Sequence, residues 1–243
     1  MDKAYNLVWA DEFTTDGPVD SAKWTCELGH GIRGWGNAES QEYRDDLEHC
    51  RVENGRLIIT GTKSEQSETY GSARIHTYGK SSWQYGRFEI RAKLPTGRGT
   101  WPALWMLSDA HKEGTPWPLC GEIDIMEHVG RNPEVIHFSL HTQEFNHPKK
   151  TQITGYHTMP EILEGFHTYR MDWTPEGFEF FVDGKLFNSF LKAGKSTIEE
   201  WPFDQPFHLI VNLAIGGHWG GEIDDSVLPA TLELEYIRVY QLD

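Results

Sequence analysis

Cysteine is scarce in this chain of 243 residues: Cys26, Cys50 and Cys120 lie far apart and without C-x-x-C spacing. That excludes a cluster of paired zinc-binding cysteines and a dense disulfide framework, and it leaves room for at most one bridge. There is no apolar run long enough to span a bilayer. The amino-terminal Met1-Asp-Lys-Ala-Tyr5 has neither the basic nor the apolar region of a secretory leader. Basic residues are outnumbered, 22 Lys and Arg against 37 Asp and Glu, for a formal net charge of −15, and no local Lys/Arg cluster reverses it. Such a surface repels phosphate backbones and anionic lipid, so neither nucleic acid nor a membrane is expected as a partner. The same repulsion disfavours sulfated and uronic polymers and leaves neutral ones the easier ligands. Also missing are an alternation of strands with helices, an internal repeat and a Pro/Gly-rich linker. Residues 1–243 therefore read as one domain, large enough to bury a substantial core.

What the chain has in quantity is aromatic side chains, ten Trp, nine Tyr and twelve Phe, and short alternating segments. Core packing claims most of the aromatics, but flat rings are also what sugar rings stack on. In Arg87-Phe-Glu-Ile-Arg-Ala-Lys-Leu94 the apolar side chains fall at every second position, the mark of a half-buried strand. His167-Thr-Tyr-Arg-Met-Asp-Trp173 and Thr231-Leu-Glu-Leu-Glu-Tyr236 repeat the pattern. Asn54-Gly55 and Asp183-Gly184 sit between such runs, where positive φ at little cost makes a two-residue hairpin. About eleven strands are predicted, with one short helix at Met159–Phe166. The fold class is all-β, a sandwich or jelly roll of antiparallel sheets.

The segment Gly121-Glu-Ile-Asp-Ile-Met-Glu-His128 concentrates three acids in apolar surroundings. Alternation puts Glu122 and Asp124 on one face of a strand, and the next residue on that face would be Met126. Glu127 rejoins the acids only if the strand absorbs one extra residue, so a β-bulge is predicted at about Ile125 and Met126. The backbones of Glu122 and Glu127 then stand roughly 13 Å apart, and inward-leaning side chains bring the carboxyls to ~5 Å. That gap suits a retaining glycosidase, in which one carboxylate attacks the anomeric carbon and the other protonates the leaving oxygen, whereas inversion needs about 6.5–9.5 Å. Like charges in a desolvated cleft keep at least one of the three acids protonated, a role assigned to Glu127, with Asp124 between the two glutamates. A bare E-x-D-x-x-E is more often a solvated strand edge. Here Trp101, Trp105 and Trp117 flank it, and unpaired acids beside aromatics are expensive without a task. The similar Gly221-Glu-Ile-Asp224 has no acid at the fifth place and lies among glycines, which marks it as a chance echo.

Beyond these acids, Leu7-Val-Trp-Ala-Asp-Glu-Phe13, Val52-Glu-Asn-Gly55, Ser72-Ala-Arg74, Tyr85-Gly-Arg-Phe-Glu89, Trp101-Pro-Ala-Leu-Trp-Met106, the run from Trp117 to Glu127, Trp201-Pro-Phe-Asp-Gln-Pro-Phe207 and Asn212-Leu-Ala-Ile-Gly-Gly217 are on record in the chain. Over nearly its whole length it thereby resembles the bacterial laminarinases of glycoside hydrolase family 16. The resemblance implies a jelly roll with an open concave cleft, Glu122 as nucleophile and Glu127 as acid/base. The extra Met126 resembles the branch acting on β-1,3-glucan, whereas lichenases have the shorter E-x-D-x-E.

The same resemblance implies a set of sugar-binding residues. Trp105 and Trp101 are expected as floor and wall beside the scissile bond, Trp117 as a stacking surface toward the non-reducing end, and Arg74 and Asn37 as donors to sugar hydroxyls. His141 is expected near the leaving-group side, with His137 a packed neighbour, and Asn212 and Trp219 lining the cleft. His137 and His141 have an H-x-x-x-H spacing, but without a helix or a third ligand zinc is not expected. No cofactor is expected for catalysis. A structural calcium is implied at Glu12, the Gly55 carbonyl and Glu235, oxygen ligands of the type that ion accepts, although the family usually has Asp in place of Glu235. The expected partner is a neutral β-glucan, laminarin ahead of mixed-linkage glucan, and the chain is expected to be a monomer. Because such polymers lie outside cells, an extracellular or periplasmic address after loss of a leader is favoured over the cytoplasm. The reading from another class is a glucan-binding module without catalysis, since sandwich folds host both.

Overall fold

The computed structural model describes residues 4–242; Met1, Asp2 and Lys3, on which the reading of the amino terminus rests, and Asp243 lie outside the described residues. Seventeen strands follow in chain order: β1 (Tyr5–Asp11), β2 (Thr25–Cys26), β3 (Gln41–Tyr43), β4 (Cys50–Glu53), β5 (Arg56–Lys63), β6 (Tyr70–Ser72), β7 (Arg74–His76), β8 (Gly86–Lys93) and β9 (Thr100–Ser108), then β10 (Glu122–His128), β11 (Val135–His141), β12 (Ile153–Thr158), β13 (His167–Thr174), β14 (Gly177–Val182), β15 (Lys185–Leu191), β16 (Phe207–Ile215) and β17 (Ala230–Leu242). They form two sheets, and the chain is a jelly-roll sandwich. One sheet has ten strands along the path β15-β14-β13-β8-β17-β5-β6-β3, with β1 on β17 and β4 on β5; the other has seven, in the order β12-β11-β10-β9-β16-β7-β2.

The predicted alternation is borne out where it was clearest. In β8, Phe88, Ile90 and Ala92 are buried between half-buried charges, and Tyr169, Met171 and Trp173 of β13 lie beside them in the core. Asn54 and Gly55 have φ of 54° and 74°, and Asp183 and Gly184 have 49° and 78°, so both hairpins close on two residues of positive φ, as expected. The predicted helix near 159–166 is a single 3-10 turn, Pro160–Leu163. The strands outnumber the eleven expected because β2, β3, β4, β6 and β7 have only two to four residues, too few for a period of two to register.

The core is the space between the sheets. Phe88, Ile90, Met171, Trp173, Ile237 and Val239 from the ten-stranded sheet pack in one apolar cluster with Leu104, Met106, Ile123, Phe138, Leu140, Val211 and Leu213 from the seven-stranded one. Alternation along β7, β9, β10, β11 and β16 then sends the intervening residues, Arg74, Trp101, Trp105, Glu122, Asp124, His137, His141 and Asn212, to the opposite face of the seven-stranded sheet. The chemistry of the sequence is gathered there.

Candidate active site

Strand β10 starts at a turn that only glycine fits: Gly121 has φ 85°, and a Cβ there would stand 2.7 Å from the Pro202 ring. From Glu122 the strand pairs regularly with β9, Glu122 opposite Leu107 and Asp124 opposite Trp105. The register then slips, so that Met126 faces Leu104 and Glu127 faces Ala103. Against β11 the same slip falls between Asp124, opposite Ser139, and Glu127, opposite His137. This is the predicted bulge, with Ile125 the additional residue on the β9 side. Ile125 and Met126 are both fully buried in the apolar cluster, and the one extra residue between Asp124 and Glu127 turns Glu127 back to the face of Glu122 and Asp124.

Each glutamate is held by an indole. Trp117 Nε1 donates to Glu122 Oε2 at 3.0 Å, and Trp101 Nε1 donates to Glu127 Oε1 at 3.0 Å. Asp124, nearly fully buried, has Oδ2 at 3.2 Å from His141 Nε2 without hydrogen-bond geometry, and His141 Nε2 lies 3.7 Å from Glu122 Oε1. Burial, and then the charge of Asp124, raises Glu122 to about 7. Burial raises Asp124 to about 8. Glu127 is raised well above the carboxylate range, by burial first and then by the charges of Asp124 and Glu122. At neutral pH the proton is therefore held most firmly by Glu127, the assignment expected for the acid.

On the β9–β16–β7 side, the Arg74 guanidinium lies between two indoles, 4.8 Å from the ring centres of Trp35 and Trp105, and its buried Nε has no hydrogen-bond partner among the described residues. Arg74 is thus presented to the cleft with donor capacity in reserve. Asn212 is tied into a hydrogen-bond network. It accepts from Trp105 Nε1 at 2.7 Å and donates to the Tyr43 hydroxyl at 3.1 Å, so it fixes the floor and is itself 95 % covered, at 5 % exposure. Tyr43 passes the network to Glu39, which also accepts from Gln41 and, at 3.3 Å, from Asn37. Asn37, expected to meet sugar directly, has its amide turned to Glu39. Trp35, Glu39, Gln41 and Tyr43 were missed as site residues, although Glu39 closes the short Trp35-Gly-Asn-Ala-Glu39 run; nothing in that run reveals which strand it folds against.

Across β10, His137 and His141 do not converge. His141 approaches the acids, while His137 packs edge-on to Trp219 at 4.8 Å and beside Tyr156 at 6.1 Å. Trp219 also meets Trp101 edge-on at 5.4 Å, buttressing the indole that holds Glu127. Trp117 lies beside Glu122, against His141 and His147. In Gly221-Glu-Ile-Asp224, Glu222 pairs at the surface with Arg98, and Asp224 caps a 3-10 turn, in keeping with a chance echo.

The carboxylates implied for calcium are not free ligands. Glu12 takes both Arg238 donors, at 2.7 and 2.9 Å, and Glu235 accepts from Arg91 at 2.7 Å with Arg56 at 3.9 Å. Guanidinium groups supply the positive charge that calcium would bring, so this donor set does not fit the ion as it stands. No helix among the described residues is long and apolar enough to cross a membrane.

Comparison with known proteins follows the same lines as the geometry. Residues 37–235 match the sequence profile of the glycosyl hydrolases family 16. A beta-glucanase of Rhodothermus marinus is 49% identical over 251 residues, covering 99% of this chain and 87% of the relative. Glucan endo-1,3-beta-glucosidase A1 of Niallia circulans is 37% identical over 97% of this chain, which spans 38% of that longer protein. In three dimensions, the X-ray structure of the laminarinase from Rhodothermus marinus superposes with a TM-score of 0.94 at 47% identity, covering 100% of both chains.

Proposed function

Because the chain belongs to the glycosyl hydrolases family 16, we propose from its cleft geometry that it hydrolyses internal β-1,3-glucosidic bonds of glucans such as laminarin, with retention, and also accepts mixed-linkage β-1,3-1,4-glucan. The observation that carries this is the pair Glu122 and Glu127 on one face of a bulged strand, each fixed by its own indole, with Asp124 between them. In the first step Glu127 gives its proton to the glycosidic oxygen as Glu122 attacks the anomeric carbon, and the leaving chain departs. Esterification removes the Glu122 charge, which lowers the affinity of Glu127 for a proton. Glu127 then accepts a proton from the water that hydrolyses the glycosyl-enzyme. The carboxyls and water complete the cycle without a catalytic cofactor.

Side-by-side release of reducing sugar from laminarin, lichenan, curdlan and agarose tests the substrate reading; activity on agarose alone would overturn it. Proton NMR of the first product should show the β-anomer, and initial α-anomer would exclude retention. We further propose that the chain acts as a monomer outside the cytoplasm, where neutral glucans are found. The acidic surface, which repels anionic polymers, supports that substrate class.

The indole donors make the pH profile a probe of roles. Each N–H stabilises the charged form of its glutamate, so losing it raises that glutamate's pKa. Trp117→Phe is expected to move the acidic limb of kcat/KM upward, and Trp101→Phe the alkaline limb upward, each by about 0.5–1 pH unit. Movement of the same limb in both variants would contradict the division of labour. Arg74→Lys keeps the charge but loses the planar fit between Trp35 and Trp105; kcat/KM on laminarin is expected to drop about tenfold, mostly through KM. Steady-state kinetics on defined oligosaccharides checks this.

A further inference from the structure

The aromatic side chains are covered almost everywhere. Among the described residues, Tyr156 is the only Phe, Tyr or Trp in an exposed position, at 67 % exposure. It lies in β12, at the edge of the seven-stranded sheet, directly opposite His137 of β11, which in turn is opposite Glu127 of β10. On the other side of Glu127 the row continues through Ala103 of β9 and Asn212 of β16 to Arg74 of β7. One line across the sheet thus runs from Arg74 to Tyr156 and passes the acid on the way. With strands about 4.8 Å apart, Tyr156 stands roughly 10 Å from Glu127 on one side and Arg74 roughly 14 Å from it on the other.

We propose that Tyr156 is the stacking platform for the leaving arm of the glucan, lying beneath the second sugar beyond the scissile bond. The proposal rests on the hydrolytic reading and deepens it, because an enzyme that cuts internal bonds holds the chain on both sides of the cut. A run of rings joins the platform to the acid: Tyr156 to His137 at 6.1 Å, His137 to Trp219 at 4.8 Å, and Trp219 to Trp101 at 5.4 Å. Trp101 is the indole that donates to Glu127, so the run begins where the leaving oxygen receives its proton. An aromatic face left in water is disfavoured, and the flat apolar face of a sugar covers it.

The two ends of the row differ in kind. At the Arg74 end a network of hydrogen bonds joins Trp105, Asn212, Tyr43 and Glu39, a rigid setting suited to the arm that stays on the enzyme as the glycosyl ester. The Tyr156 end offers an open ring face, which grips an arm that must depart after each cut. The platform is nevertheless firmly placed. On the opposite face of β12, His157 packs on Phe187 at 4.5 Å and bonds its carbonyl at 2.9 Å, and Gly155 leaves room for Asn188, where a Cβ would come within 2.1 Å.

The test uses laminarin, an aryl glycoside of laminaribiose, and laminarihexaose labelled at its reducing end, so that the labelled fragment is the leaving arm. In Tyr156→Ala the ratio of kcat/KM on laminarin to that on the aryl glycoside, whose leaving group is too short to reach the platform, should fall about tenfold. Its labelled products should shift from laminaribiose and longer fragments toward glucose. Tyr156→Phe keeps the ring face and should stay within about twofold of the unaltered protein. An exposed position makes both substitutions compatible with folding. An unchanged ratio and cleavage pattern in Tyr156→Ala would overturn the proposal. So would a shift to longer labelled fragments, which would put Tyr156 under the retained arm, or an equal loss in Tyr156→Phe, which would credit the hydroxyl instead of the ring. Failure of the unaltered protein to cut laminarin would remove the hydrolytic reading and this one with it, whereas cutting with an unmoved Tyr156→Ala would remove only the platform.

Discussion

Glu122→Gln is expected to lower kcat on laminarin by about 10⁴-fold or more, while the protein stays folded and becomes more stable above neutral pH. The amide cannot form the glycosyl ester, yet it has nearly the shape of the carboxylate and retains an oxygen for the Trp117 N–H. The stability gain follows from linkage. Glu122 is raised in the folded protein from an ordinary 4.5 to about 7, first by burial and then by the charge of Asp124, so folding favours its neutral form. A carboxyl raised in this way weakens the fold as pH climbs from its unfolded value toward its folded one, and the penalty is complete above that. The variant and the natural chain should therefore melt alike near pH 4, and the variant should be firmer by about 1–3 kcal/mol near pH 8. Calorimetry at the two pH values, beside sugar release, checks both halves. Unchanged sugar release would return the cleft to a binding role without catalysis; an unchanged melting difference would mean that the Glu122 carboxyl is better solvated than its partners suggest.

Glu127→Gln is expected to fail differently. Loss of the proton donor should reduce turnover of laminarin by about 10²–10⁴-fold, the span of general acid–base catalysis. An aryl glycoside of laminaribiose, whose leaving group needs no proton, should still be opened in the first step and accumulate as the glycosyl-enzyme, seen as a burst of phenol followed by a slow steady rate. Azide should accelerate release from Glu127→Gln and give the β-glycosyl azide. With Glu122→Gly and an activated substrate it should give the α-product by direct displacement. The same anomer from both variants would reverse or merge the two roles.

Much of this was legible in the sequence, for physical reasons that can be named. A period of two exposes a strand wherever one face is core, as in β8 and β13, and Asn-Gly and Asp-Gly mark hairpins because few other pairs accept two positive φ values. The bulge could be predicted because three acids on one strand impose a parity that Met126 breaks. Side-chain destinations were harder to read. Whether Trp101 and Trp117 donate to glutamates depends on rotamers and cross-strand neighbours, and the bonds of Asn212 to Trp105 and Tyr43 were hidden because those partners are 107 and 169 residues away in the chain. The carboxylates of Glu12 and Glu235 likewise looked available until Arg238 and Arg91 were placed beside them.

The bulge in β10 has a consequence for how such a site tolerates change. Counted along the strand, Glu122 and an acid at position 126 would share a face without any irregularity, so removing one residue from the Ile125-Met126 pair would restore an unbroken ladder and still leave both acids facing the cleft. Length polymorphism at this point is therefore compatible with catalysis, provided the core can refill the volume of the side chain lost. The strand works as an adjustable spacer whose setting is stored in the apolar interior, where Ile125 and Met126 are seated, out of reach of the substrate whose cleavage it governs.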